Sequence, residues 1–215
     1  LLVFFYLPET KPNSDSNNSK TIFKNPLKEL FKVFKEEKIK KLSLAFFIYF
    51  IAFTGLTNIL IFFLQESLNW TTKASSGTLV VVGIIAIIVQ GGLIGPLVKQ
   101  LGEMRLTLIG SGFILLACSL LIAAPKENAA INIYTAVSFL AVGAGLITPT
   151  LRALISKKLD VDKQGSILSN LQGLQSLGGV LGIAMAGRVY DSFGPKSPFI
   201  AGSIILIFMI YLIAE

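Results

Sequence analysis

The sequence predicts an all-α, polytopic membrane helix bundle, and three observations predict it. Charged residues make up only 14% against 53% hydrophobic residues, with a mean hydropathy of +0.73, whereas a soluble domain carries about 25% charged residues. The apolar residues are gathered into runs of the roughly 20 residues that a helix needs to cross a bilayer. Lysine and arginine are distributed unevenly among the connections between those runs, as in chains whose orientation is set by positive charge. The solvent of such a chain is lipid. Barrel strands are excluded because they need only about 10 alternating residues.

The opening run LLVFFYL has no basic start and no small-residue cleavage site, so residues 1–8 read as the end of a membrane helix and not as a signal peptide. The chain starts without methionine inside this run and stops at Glu215 directly after another one. It is therefore expected to be part of a longer polypeptide. Residues 9–41 form the one long connection. Their first half, ETKPNSDSNNSK, is polar and unable to bury apolar surface. Their second half reads as an amphipathic helix: Asn25 can cap it and Pro26 suits its first turn. Leu27, Leu30, Phe31 and Phe34 follow i, i+3, i+4, i+7. With lysines on its other face, such a helix can lie in the headgroup layer or serve as a solvated linker.

Six candidate spans follow, at about 42–64, 77–98, 106–124, 131–155, 166–189 and 198–214. Only Arg152 and Arg188 carry charge inside them, each near an end. If the six alternate, fifteen of the nineteen Lys and Arg residues fall on one side, in 9–41, 99–105 and the region from Arg152 to Lys163. The positive-inside rule makes that side cytoplasmic. The net charge of +7 is then mostly topology, and no nucleic-acid partner is expected. Cys118 is the single cysteine and there is no histidine, which leaves no disulfide within the chain, no metal cluster and no His-based catalysis. Asn69-Trp70-Thr71 matches a glycosylation sequon, a pattern common by chance. No cofactor is expected.

Spanning helices satisfy their own backbones, so polar side chains at depth need another explanation. In the first span Thr54, Asn58 and Gln65 lie within about 40° of one another on the helix, on a stripe shared with Phe47 and Ile51. Gln90 stands alone in IIAIIVQGG. Thr148, Thr150 and Arg152 flank Pro149, while Asn170, Gln172, Gln175 and Ser176 crowd two turns of the fifth span. Interhelical hydrogen bonds, averaging about 0.6 kcal/mol each, explain any one of them. The whole set points to a water-filled cavity lined by several helices, with Phe47, Phe50 and Phe53 adding apolar contact. No span carries an acid in its middle, so a proton-coupling carboxylate is expected elsewhere. Small residues four apart, Gly91/Gly95, Ala141/Gly145 and Gly178/Gly182/Ala186, make flat faces on which helices pack closely or slide.

Between the second and third spans lies GPLVKQLGEMRLTLIG. The connection is about seven residues long. Gly102 can take the positive φ of a tight reversal. Lys99 and Arg105 can face helix C-termini or neighbouring carboxylates, so that the loop closes one side of a bundle and releases it.

This stretch resembles the short-loop signature G-x-x-x-D-x-x-G-R-K/R-R/K of the major facilitator superfamily. Gly95, Gly102 and Arg105 match; Lys99 stands for the usual acid and Glu103 for a base. FYLPET resembles the end of helix six in tetracycline-efflux-like members. GAGLITPTLRALIS resembles helix ten, and QGSILSNLQGLQSLGGVLGIAMAGRVYD resembles helix eleven. The resemblance implies the C-terminal six-helix half of a twelve-helix fold. Residues 1–8 would end helix six, 9–41 would be the cytoplasmic linker between halves, and 42–215 would hold helices seven to twelve. The N-terminal half would lie outside this sequence. Helices seven, eight, ten and eleven would contribute to a central cavity, which makes Phe47, Thr54, Asn58, Gln90, Thr148, Gln172 and Gln175 the expected substrate contacts. Gly95, Lys99, Gly102 and Arg105 would be the gating loop. The implied activity is secondary transport by rocker-switch alternating access, with proton-coupled efflux of small amphipathic compounds from a cell through its inner (plasma) membrane, as in multidrug-resistance antiporters. The alternatives are an importer of a sugar or organic acid, for which Arg152 is the one basic candidate, and a non-transporting scaffold or sensor. An enzyme is not expected.

Overall fold

A computed structural model of the chain describes residues 30–125 and 129–214. The helix end expected at 1–8 and most of the 9–41 linker lie outside the described residues. All regular structure described is helical. A short 3₁₀ segment, Phe31–Lys35, is followed by α1 (Lys40–Phe62), α2 (Thr72–Ile88), α3 (Ile94–Ala123), α4 (Ala130–Lys157), α5 (Val161–Phe193) and α6 (Ser197–Ala214). Single π-helical turns, Phe63–Ser67 and Val89–Leu93, extend α1 and join α2 to α3.

By length and composition four of these stretches can cross a membrane. One of them, Thr72–Ala123, has 52 residues and would be about 78 Å long if straight, far more than the ~30 Å of hydrocarbon in a bilayer. It is not straight. Gly102 has φ 78° and ψ 159°, a conformation that costs glycine little and other residues much. Gly77 lies beside Tyr134, and Val89 against Gly145, so α2 runs parallel to α4. Thr107 then meets Thr150, and Gly110 meets Gly143 and Ile147, so the second part of α3 runs antiparallel to it. The chain has turned round between Val89 and Thr107. α5 is not among the four apolar stretches, because its first half carries amides and serines along one side.

The other pairings follow the same alternation. Phe47, Ile51 and Gly55 of α1 meet Gly178, Gly182 and Ala186 of α5 in the same chain direction, whereas Leu56 and Phe63 meet Gly202 and Phe199 of α6 in reverse order. Six antiparallel and parallel passes result. At one end Lys157 pairs with Glu103, and Lys163 pairs with Glu36 at 3.3 Å, which brings the three lysine-rich connections together. At the other end Tyr190 donates to Glu66 at 2.7 Å, and Trp70 stacks near Tyr134. Thr71 caps α2 by accepting from the Ala74 amide, and Asn69 takes a positive φ of 54°. Turn and cap account for the polar residues of the sequon match.

The core is built of apolar side chains from five helices, among them Phe46, Tyr49, Phe63, Ile114, Ile133, Leu151, Leu174 and Phe199, all fully buried. Glycines set the closest approaches. A Cβ on Gly182 would collide with the Ile51 carbonyl, one on Gly55 would sit 2.8 Å from the Gly182 carbonyl, and one on Gly110 would sit 2.9 Å from the Gly143 carbonyl. Of the small-residue pairs singled out in the sequence, Gly178/Gly182 and Gly145 are at contacts, while Gly91 and Gly95 face open space. The described part of the linker departs from a regular amphipathic α-helix. In its 3₁₀ geometry, three residues per turn, Val33 is buried and Leu30 packs on Gly173, while Phe31 is 47% exposed.

Candidate functional site

Three helices enclose a cavity of about 330 Å³. α1 contributes Phe53, Thr57 and Leu60. α2 contributes Thr78, Leu79, Val82 and Ala86, and the π-helical turn after it contributes Gln90. α4 contributes Leu140, Ala141, Ala144, Gly145 and Thr148. The wall is mostly apolar, with three hydroxyls and one amide. Two hydroxyls are committed to their own helices: Thr57 donates to the Phe53 carbonyl at 2.9 Å, and Thr78 to the Ser75 carbonyl at 2.6 Å. Gln90 is exposed, and its amide has no hydrogen bond within the described residues. It owes its position to the π-helical turn Val89–Leu93; extra-residue turns of this kind often occur where a helix must re-aim a side chain.

Thr148 connects this cavity to a second cluster. Its hydroxyl lies 3.3 Å from the hydroxyl of buried Tyr49. Tyr49 stacks on Phe53 at 5.5 Å and meets Phe50 at 4.9 Å, and Phe50 meets Phe46 at 4.8 Å. Above the Phe46 ring, 5.9 Å from its centre, sits the guanidinium of Arg152. One nitrogen of that group, Nη2, donates to Gln172 Oε1 at 2.8 Å and to Gln175 Oε1 at 2.5 Å. A row of four aromatics on α1 thus runs from the cavity wall to an arginine held by two amides of α5.

Of the expected contact residues, Gln90 and Thr148 share the cavity, and Gln172 and Gln175 share the arginine. Thr54 and Asn58 join neither group. Asn58 is exposed and folds back to donate to the Thr54 carbonyl at 2.9 Å, while the Thr54 side chain lies against Gly179. Phe47 packs on Gly178 and edge-on to Phe34 at 6.5 Å. Reading the sequence missed Thr57, Thr78 and Tyr49. The available signal was Tyr49, a lone hydroxyl among Phe46, Phe47, Phe50 and Phe53.

In the short connection, Gly95 and Lys99 are exposed, Gly102 makes the reversal, and Arg105 is exposed. The described ion pair comes from Glu103, whose side chain is 13% exposed, to Lys157 in the last turn of α4. The hydrogen bond from Lys157 holds the Glu103 carboxyl below its ordinary range. Glu103 begins the returning helix and Lys157 ends α4, so each charge also opposes the helix dipole at its own position. A wider hollow of about 670 Å³ at the other end is lined by Glu66, Asn69, Tyr190 and Asp191. It is built from connections and helix ends, with Leu68 and Pro195 beside the polar groups.

Comparison with known proteins agrees with this architecture. The family model for the Major Facilitator Superfamily matches residues 1–183. The chain is similar to the tetracycline resistance protein, class C, of Escherichia coli, at 27% identity over 130 residues, 60% of this chain and 32% of that protein. It is also similar to the class H tetracycline resistance protein of Pasteurella multocida, at 27% over 133 residues, 62% of this chain and 32% of that protein. The human Hippocampus abundant transcript-like protein 1 matches at 23% over 179 residues, 80% of this chain and 35% of that protein. The chain spans about a third of the length of these relatives. With a family model matching residues 1–183 of 215, and with the described residues folded as an all-α bundle, the chain belongs to the major facilitator superfamily of multi-pass membrane carriers, which are not enzymes.

Proposed function

We propose that this chain is the C-terminal half of a secondary transporter. The complete protein would work by rocker-switch alternating access and export small amphipathic compounds in exchange for protons. The observation that carries this reading is the shared cavity. Phe53, Leu60, Leu79, Val82 and Leu140 offer apolar contact, while Gln90 and Thr148 offer hydrogen bonds that tolerate different partners. A pocket of this kind suits an amphipathic solute better than a sugar, which needs many fixed polar groups. Among the described residues no Asp or Glu lines the cavity, and this reading puts the coupling carboxylate in the N-terminal half. The lysine-rich end faces the cytoplasm in this reading, with Gly95, Lys99, Gly102 and Arg105 in the loop that opens and closes it, and the membrane is the cell's inner (plasma) membrane.

The likeness to tetracycline resistance proteins supports export over import. Arg152 lies five residues before the end of α4, about 8 Å along the axis, and so is not at mid-depth as an importer's central anion site would be. The test is flux in everted membrane vesicles containing the full-length protein, with and without a pH gradient. Accumulation of amphipathic drugs should rise with the gradient. Gln90→Leu should weaken it several-fold, the scale of one hydrogen bond of about 0.5–1.5 kcal/mol. Flux indifferent to the gradient removes proton exchange, and flux indifferent to Gln90→Leu removes this cavity from the substrate path.

A further inference from the structure

We infer that Arg152, Gln172 and Gln175 form a subsite for the carboxylate of an amphipathic organic anion, with the apolar cavity beside Thr148 taking the body of the same molecule. The inference rests on the transport reading above and adds a substrate class to it.

The argument is one of donors and acceptors. A guanidinium has five N–H groups and no acceptor. Among the described residues, Nη2 is the nitrogen with partners, and those partners are the two glutamine carbonyl oxygens. Each glutamine must turn its oxygen to the cation, so each must turn its NH₂ away from it. Nε, Nη1 and both amide NH₂ groups then have no partner among the described residues. The cluster presents donors alone. Its positive charge is met by neutral oxygens and by the face of buried Phe46, and not by a described carboxylate. Gln172 is exposed and Arg152 half-exposed, so the donors are open to a ligand. A carboxylate fits best, because its two oxygens match the planar fork of an arginine.

The neighbouring structure indicates what the carboxylate is attached to. Arg152 is four residues from Thr148, on the same side of α4, and Thr148 lines the apolar cavity. Phe46, Tyr49 and Phe50 are buried behind the two places, and Phe53 reaches the cavity wall. A ligand with its carboxylate at Arg152 and an aryl or alkyl body passing Thr148 into the cavity at Phe53 and Leu140 would use both. A small hydrophilic anion would use the first alone.

The experiment is equilibrium binding to the full-length protein in phosphatidylcholine nanodiscs, with two matched probes, 4-phenylbutyrate and the uncharged 4-phenylbutyramide. The carboxylate should bind at least about tenfold more tightly, the scale expected for charged hydrogen bonds. Arg152→Gln should abolish the difference while leaving the amide's affinity within about twofold, Arg152→Lys should restore part of it, and Gln172→Glu should weaken the carboxylate alone, all on that same scale. Equal binding of the two probes, no binding of the carboxylate, or an equal loss of both in Arg152→Gln overturns the subsite. So does full displacement of the carboxylate by phosphatidylglycerol, which would assign the arginine to lipid. Flux in proteoliposomes separates this from the transport reading. Preferential carboxylate binding without movement of either probe defeats transport and keeps the subsite. Movement of both without preference does the opposite.

Discussion

α5 and α6 are both exposed along one side, and the two sides have opposite chemistry. α6 exposes Ile200, Ile204, Ile207, Phe208 and Tyr211. α5 exposes Ser166, Ser169, Gln172 and Ser176 over its first half, and only then turns apolar at Val180, Ile183 and Met185. Exposure is similar; the solvent is not. An apolar stripe is at ease against acyl chains, whereas amides and serines at depth are placed where water or another helix meets them. α6 therefore reads as a lipid-facing helix. The first half of α5 reads as a face that meets water or another helix, and this is the helix that holds Arg152 by its two glutamines.

The largest test of that contrast is a charge on each stripe. Ile204→Lys should lower membrane-integrated full-length protein strongly, since lysine near a helix centre costs about 2.5–3.5 kcal/mol on insertion scales. Ser176→Lys should cost far less, because water or a partner helix meets that face. Equal losses in a membrane-integration assay would break the comparison.

A smaller effect distinguishes the two sides of α5 itself. Its buried side meets α1 so closely that a methyl on Gly182 would strike the Ile51 backbone, while Gly187 has nothing within 4 Å. Gly182→Ala should destabilise by about 1–3 kcal/mol, because backbone cannot step aside as a side chain can. Gly187→Ala should be neutral or stabilise by up to about 1 kcal/mol through reduced chain entropy. Thermal unfolding in detergent reads both.

The smallest effect lies at the lysine-rich end, away from either stripe. Glu103→Gln removes the ion pair to Lys157, whose own side chain is 66% exposed, so the loss should be about 0.2–1 kcal/mol. Its pH dependence has a definite sign. Because the folded-state pKa is lowered, the contribution is present above the unfolded glutamate value of about 4.3. It is lost as pH falls through the lower folded value. Glu103→Gln should lower stability by that amount at neutral pH and flatten the profile in the acidic window, so that variant and parent converge below it.

Much of the fold was legible because lipid imposes simple rules. The runs at 131–155 and 166–189 lie within helices that continue beyond them, Ala130–Lys157 and Val161–Phe193, because backbone hydrogen bonding persists into the interface. The 52 residues of Thr72–Ala123 had to be two passes on charge counting, and Gly102 marks the turn. The site was legible only in part. Thr54 and Asn58 share a helical stripe in the sequence, yet the Asn58 amide is spent on the Thr54 carbonyl, a local bond that periodicity does not reveal. Thr57, one position away, is the residue that reaches the cavity. The ion pair to α4 falls to Glu103 and not to Lys99 or Arg105, because the order of residues after Gly102 decides which side chain points at α4.

By itself the sequence determined the all-α class, the approximate places of the helices and the glycine at the reversal, since hydrophobic length and turn chemistry are properties of a linear chain. Only the tertiary structure decided that Gln90 and Thr148 share one wall and that Arg152 is held by Gln172 and Gln175. A helical pattern fixes which residues lie together on one rod. The rotation of each rod against its neighbours is set by how closely they pack at places such as Gly55 against Gly182 and Gly110 against Gly143, where the missing side chains let backbones touch.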